Sequence, residues 1–321
     1  MPGKAGLERW ALFSGGIRVL RRQVSMERLS DPYTIRYPQI VAVAEEGGER
    51  VELIEFFDCI GGAMWVKRHY AQSPLVHSVR TVGSTNRYML STGSADLALE
   101  GSTFPAGIAA VAVDEREIAI TYRGLGGGGV GASICRASAH GITRHETDPS
   151  GGGRLAGSTI WLPRRERVII GIDDTDTPEE GATWTLAHNI ARAVEDEQSR
   201  YLTHTIVQLY PVPYRTKNCV SIACEFATSD PDGLIRRYHD YLEEYTLSED
   251  TGMAAWRGFD PSPLEEFGRR VKMGEVSRDD LATLDERLTT IMDGRGVIGA
   301  VAAIPFYTRF EEALALWNGS G

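Results

Sequence analysis

Short apolar runs separated by glycine and polar turns dominate the first part of the chain. Ile40-Val41-Ala42-Val43 meets the turn Glu45-Glu46-Gly47-Gly48, and Val51 to Phe57 follows with alternating polarity, which predicts a β-hairpin. Residues 61–70 can start a helix, and 88–93, 108–113 and 117–122 read as further strands. Residues 83–87 read as a polar turn, with Arg87 either solvated or a weak anion site. A glycine-rich stretch, Arg123 to Gly131, separates the last of these strands from a short helical pattern over 132–138.

The second part carries longer periods. Val168-Ile169-Ile170-Gly171-Ile172 is an apolar run of strand length and predicts a buried strand. Ala187, Ile190, Ala191 and Val194 then recur at helical spacing, giving a helix over 183–197. Strands follow over 203–209 and 219–227, and a helix over 231–247 whose face of Tyr238, Tyr241 and Tyr245 is read as core. Residues 248–256 read as a turn and strand, 262–273 and 277–292 as charged helices, 297–304 as a buried strand or helix, and 308–317 as a closing helix. The mixture predicts an α+β (mixed α/β) protein of two domains, each a mixed or antiparallel sheet with helices packed on it. The expected organisation is an N-terminal arm or over-long gene start at 1–30, a β-rich domain at 31–163 and a second domain at 164–321.

The buried strand ends in Asp173, Asp174 and Asp176, three acids within four positions. In extended geometry Asp174 and Asp176 share a face and Asp173 takes the other. Two unit charges about 4 Å apart cost roughly 4 kcal/mol at an effective dielectric near 20, and a divalent cation reverses that sign. Oxygen ligands of this kind suit Mg²⁺, which takes one or two carboxylates plus substrate phosphates. The plainer alternative is an acidic strand-to-helix turn with Asp176 or Thr177 helping to cap. Pro211-Val212-Pro213-Tyr214-Arg215-Thr216-Lys217-Asn218 reads as rigid and extended. Arg215 and Lys217 then point the same way, which suits a triphosphate; a solvated edge is the alternative.

Gly126, Gly127, Gly128 and Gly129 lie between a strand and a helical pattern, the setting in which backbone N–H groups cradle phosphate, although a flexible hinge has the same letters. Residues 149–157 read as a linker, with Arg154, Arg164, Arg165 and Arg167 leaving a phosphate role open. His140 and His145 read as structural or solvated. Gly294-Arg295-Gly296 leads into the apolar run 297–304, and Gly296 and Gly299 offer either close backbone approach to a ligand or a tight turn into a buried strand or helix.

Charge narrows the partners. The net charge of −10 over 321 residues disfavours a dedicated nucleic-acid binder, because such binding rests on phosphate neutralisation by Lys and Arg. No apolar run approaches the length of a membrane span, and the four cysteines, in no Cys-x-x-Cys spacing, read as reduced thiols of a cytoplasmic protein.

Three segments carry a resemblance in chain order. Gly171-Ile172-Asp173-Asp174-Thr175-Asp176-Thr177 with Ala182-Thr183-Trp184-Thr185-Leu186-Ala187, then Val212 to Asn218, then Gly294 to Ile304, resemble the kinase-like domain of the archaeal tRNA(Ile) agmatinylcytidine synthetases. The whole chain resembles the methanogenesis marker protein 11 family. The resemblance implies ATP and Mg²⁺ as cofactors. Asp173, Asp174 and Asp176 become metal and catalytic residues, and Arg215, Lys217, Asn218, Gly294, Arg295 and Gly296 become nucleotide contacts. It also places a phosphorylated threonine at Thr183, which otherwise reads as a helix cap; Trp184 departs from that family's threonine pair. The implied activity is ATP-dependent phosphotransfer or ligation on a cofactor or protein target. The alternatives are an RNA substrate and a non-catalytic nucleotide sensor or assembly protein.

Overall fold

The computed structural model describes residues 32–101, 103, 105–125, 134–149, 153–213, 215, 216 and 218–316. Contacts gather residues 35–321 into one unit. The arm at 1–30, Gly126 to Gly129 and Lys217 lie outside the described residues.

The fold is mixed α+β and contains three antiparallel sheets. In the first, β1 (Gln39–Ala44), β2 (Arg50–Phe56), β3 (Val76–Val82) and β4 (Thr85–Ser91) take the order β1-β2-β4-β3. The expected hairpin is β1–β2, with Ala44 opposite Val51. Helix α1 (Ile60–Tyr70) follows β2. The second sheet orders β5 (Gly93–Ser94), β6 (Ala106–Val113), β7 (Glu117–Leu125), β8 (Arg144–Thr147) and β9 (Leu155–Pro163) as β5-β6-β7-β9-β8. The stretch read as a linker therefore enters β9, paired with β7 from Leu155 onward. One core joins α1 to both sheets through Ile40, Leu53, Tyr70, Tyr88, Ile120 and Ile160.

The third sheet positions the acidic segment. Its strands β10 (Glu166–Asp173), β11 (Ser199–Gln208), β12 (Val220–Thr228), β13 (Gly252–Arg257) and β14 (Leu288–Asp293) run β11-β12-β10-β13-β14, so β10 is central. Helices α2 (Thr183–Ala193) and α3 (Pro231–Tyr245) cover Val168, Ile170 and Ile172. Helices α4 (Glu265–Met273) and α5 (Val297–Ala303) cover the face of Ile169. Burial on both faces explains an apolar run without polar alternation. Gly171 lies under α5, where a Cβ would stand 1.9 Å from the Ala300 carbonyl oxygen.

The outer face of the first sheet meets the third through Val41, Val43, Ile54 and Ala227. Four buried charges cross this contact. Arg87 donates to both Glu52 oxygens at 3.1 and 3.0 Å and to both Glu225 oxygens at 2.9 and 2.5 Å. Arg167 donates to Glu225 at 3.0 Å, to Glu52 and to the Phe259 carbonyl. Arg87 is thus a buried strand residue and neither solvated nor open to an anion. These two guanidiniums hold the Glu52 carboxyl down at about 2 against the upward push of burial.

Other expectations change. Residues 277–292 form a 3₁₀ turn, Arg278–Thr283, and then β14. Leu281, Leu284 and Leu288 imitate helical spacing, but Thr289-Thr290-Ile291 is β-branched and pairs with the open edge of β13. The apolar segment after Gly296 is the helix α5. The closing helix α6 spans only Phe310–Leu314. Of the three α3 tyrosines read as core, Tyr238 alone enters it; Tyr241 and Tyr245 are exposed and stack on each other at 6.3 Å.

Candidate functional site

The backbone leaves extended geometry at the end of β10. Asp174 has φ 51°, a left-handed conformation uncommon for non-glycine residues but accessible to Asp. Its N–H donates to Asp173 Oδ1 at 2.8 Å. The expected alternation therefore fails, and the residues facing one cavity are Asp173 and Asp174. Asp176 is buried apart from that lining and accepts from Thr216 Oγ1 at 3.0 Å.

Neighbouring elements hold the loop. Thr183 is the first residue of α2, with Ala182 as its N-cap, so neither Thr183 nor Asp176 or Thr177 supplies a side-chain cap. The buried Thr183 hydroxyl oxygen accepts from the Thr175 N–H at 3.3 Å and from the Thr175 hydroxyl at 3.1 Å. The Thr175 carbonyl accepts from Leu247 N–H at 2.9 Å, and the Asp174 carbonyl from Thr251 Oγ1 at 3.1 Å. The first turn of α2 and the 246–251 turn thus clamp the loop from two sides.

The start of α5 sits flush against the acids. A Cβ on Gly296 would lie 2.8 Å from the Asp173 carbonyl oxygen and 2.9 Å from Asp174 Cβ. One on Gly299 would lie 1.8 Å from Asp173 Oδ2. The glycines of this segment are needed for close approach to the carboxylates. Arg295, directly before Gly296, lines the cavity and donates to Asp250 Oδ2 at 2.5 Å.

The cavity encloses about 640 Å³ of atom-free space, its open mouth included. Of the sequence-derived candidates, Asp173, Asp174, Arg215, Asn218, Arg295 and Gly296 line it, and Asp176, Thr183 and Gly294 do not. Gly294 instead packs against the Asp250 and Thr251 backbone, where a Cβ would meet carbonyl atoms at 2.3–2.5 Å. Arg215 reaches the cavity from a turn, not an extended strand, because its N–H donates to the Val212 carbonyl at 3.4 Å. Arg164 donates to the carbonyls of Asp114 and Glu46, and Arg165 to those of Glu197 and Gln198. With Arg167 buried against carboxylates, none of these three lines the cavity. His140 contacts Arg200 at 3.0 Å, a structural role.

Sequence reasoning missed Asp250, which pairs with Arg295, and Cys219, Tyr210 and Glu275 in the lining. Nothing in Ser248-Glu249-Asp250-Thr251-Gly252 signals that it folds back on Arg295. The Cys219 thiol is pushed up by burial.

Electrostatics set what the cavity can hold. Burial, then Asp174 and Asp176, push the Asp173 carboxyl well above the usual carboxylate range. Burial also raises Asp174; Arg295 opposes the rise, and Asp250 and Asp176 add to it. Among the described residues no group of three or more His, Cys, Asp or Glu side chains is arranged to hold a metal. The adjacent Asp173 and Asp174 carboxyls are of the chemistry that suits a Mg²⁺ whose shell phosphate oxygens complete. The Arg215 and Arg295 guanidiniums fit those phosphates.

The chain is 37% identical over 284 residues to the uncharacterized protein MJ0921 of Methanocaldococcus jannaschii, covering 84% of this chain and 94% of that one. It belongs to that family. The TiaS TCKD domain family matches residues 169–236, the segment from β10 into α3. The tRNA 2-agmatinylcytidine synthetase TiaS of Cenarchaeum symbiosum is 28% identical over 149 residues, covering 44% of this chain and 33% of the synthetase. A solved complex of TiaS with its tRNA and ATP is 24% identical at a TM-score of 0.39, over 44% of this chain and 36% of that chain. A solved tRNA fluorescent labeling enzyme is 24% identical at 0.38, over 43% and 36%. The chain thus spans about a third of the length of the synthetase and of these solved chains. Among the described residues no helix is long and apolar enough to cross a membrane.

Proposed function

We propose that the protein is an ATP- and Mg²⁺-dependent enzyme that transfers a phosphoryl group or drives a ligation on a cofactor or protein target. The observation that carries this reading is the convergence of Asp173, Asp174, Arg215, Asn218 and Arg295 on one cavity at the end of a buried central strand. The partial match of residues 169–236 to the TiaS TCKD domain supports it. In phosphoryl transfer the protein mainly supplies position and charge neutralisation. Asp173 and Asp174 hold the metal, which when bound neutralises charge developing on phosphate oxygens. Arg215 and Arg295 orient the phosphates, and Asn218 offers a neutral amide at the rim. Asp176 positions the loop through Thr216, and Thr183 does so through Thr175. A link to methanogenesis belongs to this proposal through the marker-family resemblance alone.

An RNA substrate is the second reading, and the partial likeness to a tRNA 2-agmatinylcytidine synthetase favours it. The net charge of −10 weighs against it. Calorimetric titration of ATP with and without Mg²⁺, followed by product analysis of ATP incubated with the pure protein, tests the enzyme. Binding without turnover in the presence of native extract supports a nucleotide sensor instead, no binding removes the assignment, and RNA retained through purification favours the second reading.

A further inference from the structure

A second cavity lies outside the acidic site and enters into none of its chemistry. It encloses about 890 Å³ of atom-free space with its mouth, between the start of β6, the turn after β2 and α1. Phe57, Trp65, Val66 and Tyr70 make apolar wall, and Cys59 and Cys135 present two free thiols to it.

Charge inside this cavity is already balanced. Arg136, buried at its base, donates to Glu55 Oε1 at 2.5 Å and Oε2 at 2.9 Å. Its guanidinium also lies 4.5 Å from the Tyr37 ring centroid, 5.0 Å from Tyr122 and 5.3 Å from Tyr70. A bidentate carboxylate partner and three ring faces leave this cation little to offer an incoming anion. At the mouth, exposed Arg36 and Asp58 are one cation and one anion.

An indole also stands exposed in the lining. Trp65 is 67% exposed, unusual for so large an apolar side chain, and tilts against the buried His69 ring at 4.7 Å. His69 Nδ1 hydrogen-bonds the Trp65 carbonyl at 2.8 Å, which fixes the imidazole behind the indole. An exposed indole backed by a buried imidazole, beside an apolar cavity with few polar partners for water, is the arrangement expected of a ligand site.

We propose that this cavity binds an uncharged aromatic small molecule, its ring seated among Phe57, Trp65 and Tyr70. Neutrality follows from the satisfied Arg136–Glu55 pair, and ring shape from the aromatic walls, which favour edge-to-face and offset contacts. The site stands apart from the ATP reading and does not depend on it.

The thiols report occupancy without mutation. Alkylation by N-ethylmaleimide, read residue by residue by mass spectrometry on the full chain, follows Cys59 and Cys135 in this cavity and Cys219 in the acidic one. Saturating N-phenylnaphthylamine, an uncharged aromatic probe, is expected to slow Cys59 and Cys135 by roughly five-fold or more through loss of access and to leave Cys219 unchanged. ATP with Mg²⁺ is expected to do the reverse. Anilinonaphthalene sulfonate carries the same rings with a negative charge and is expected to bind about ten-fold more weakly or worse. Filling the cavity by Val66→Trp is expected to abolish binding of the neutral probe. Equal slowing of all three thiols, no saturable binding by the wild-type protein, or equal affinity for the neutral and anionic probes overturns the proposal, whether or not the variant folds.

Discussion

Replacing Gly299 by alanine tests whether α5 sets the position of the Asp173 carboxylate. The added Cβ would lie 1.8 Å from Asp173 Oδ2, 2.9 Å from its Cγ and 3.0 Å from Leu209 Cδ1. Carbon needs about 3.5 Å from such neighbours, so the carboxylate must retreat by roughly 1.5 Å or more. Overpacking of this kind costs about 1–3 kcal/mol. Exchanging glycine for alanine inside a helix returns about 1 kcal/mol. The net destabilisation is therefore about 0–2 kcal/mol, a fall in Tm of several degrees at most. Function suffers more, because misplacing a reacting group by about 1 Å can cost ~100-fold. Expected are a folded variant by circular dichroism and affinity for Mg·ATP reduced at least about ten-fold by calorimetry. Gly274→Ala is the control: Gly274 lines the same cavity, but nothing lies within 4 Å of its Cβ position. Equal affinity in Gly299→Ala and wild type, or an equal loss in the control, refutes the argument.

Asp174→Asn keeps a side chain that tolerates the left-handed backbone, so it should fold normally and bind Mg·ATP about ten-fold more weakly or worse; unchanged affinity removes Asp174 from the metal site. Asp173 binds its proton more tightly folded than unfolded, so its favourable contribution is complete below the ordinary carboxylate range and is lost as pH rises through its raised value. In the absence of divalent cations, Asp173→Asn should therefore gain Tm over wild type as pH climbs toward neutrality, and Mg·ATP should narrow the gap; a gap independent of pH contradicts this. Arg295→Ala should weaken ATP more than adenosine, since only the phosphate contact is lost, whereas equal weakening marks a structural role. Glu225→Gln leaves Arg87 and Arg167 sharing one buried carboxylate and should cost about 3–5 kcal/mol in urea unfolding; a loss below about 1 kcal/mol shows the cluster to be solvated.

What the sequence makes legible follows from how local the cause is. The run Val168 to Ile172 reads correctly as a buried strand because both of its faces demand apolar side chains, and α2 reads correctly from its own spacing. β14 is misread because its leucine spacing imitates a helix, while the deciding fact, the unpaired edge of β13, lies some 30 residues upstream. Arg87 shows no sign of burial because its partner Glu225 is 138 positions away. The facing of Asp174 and Asp176 is misjudged because extended alternation stops where φ turns positive. Asp250 is missed for the same reason as Arg87: its partner Arg295 arrives from 45 positions later.

The buried quartet also bears on how the chain assembles. In β2 and β4, Glu52 faces Met89 and Arg87 faces Ile54, so Glu52 and Arg87 are diagonal neighbours on paired strands. In β10 and β12, Arg167 faces Ala227 and Glu225 faces Ile169, the same diagonal relation. Each sheet thus owns one cation and one anion and can neutralise itself before the two meet. Docking then converts two local pairs into four shared contacts without moving net charge across the contact. Salt should consequently have little influence on the step that joins the sheets, and neither sheet need carry a stranded charge while it waits for the other to emerge during synthesis.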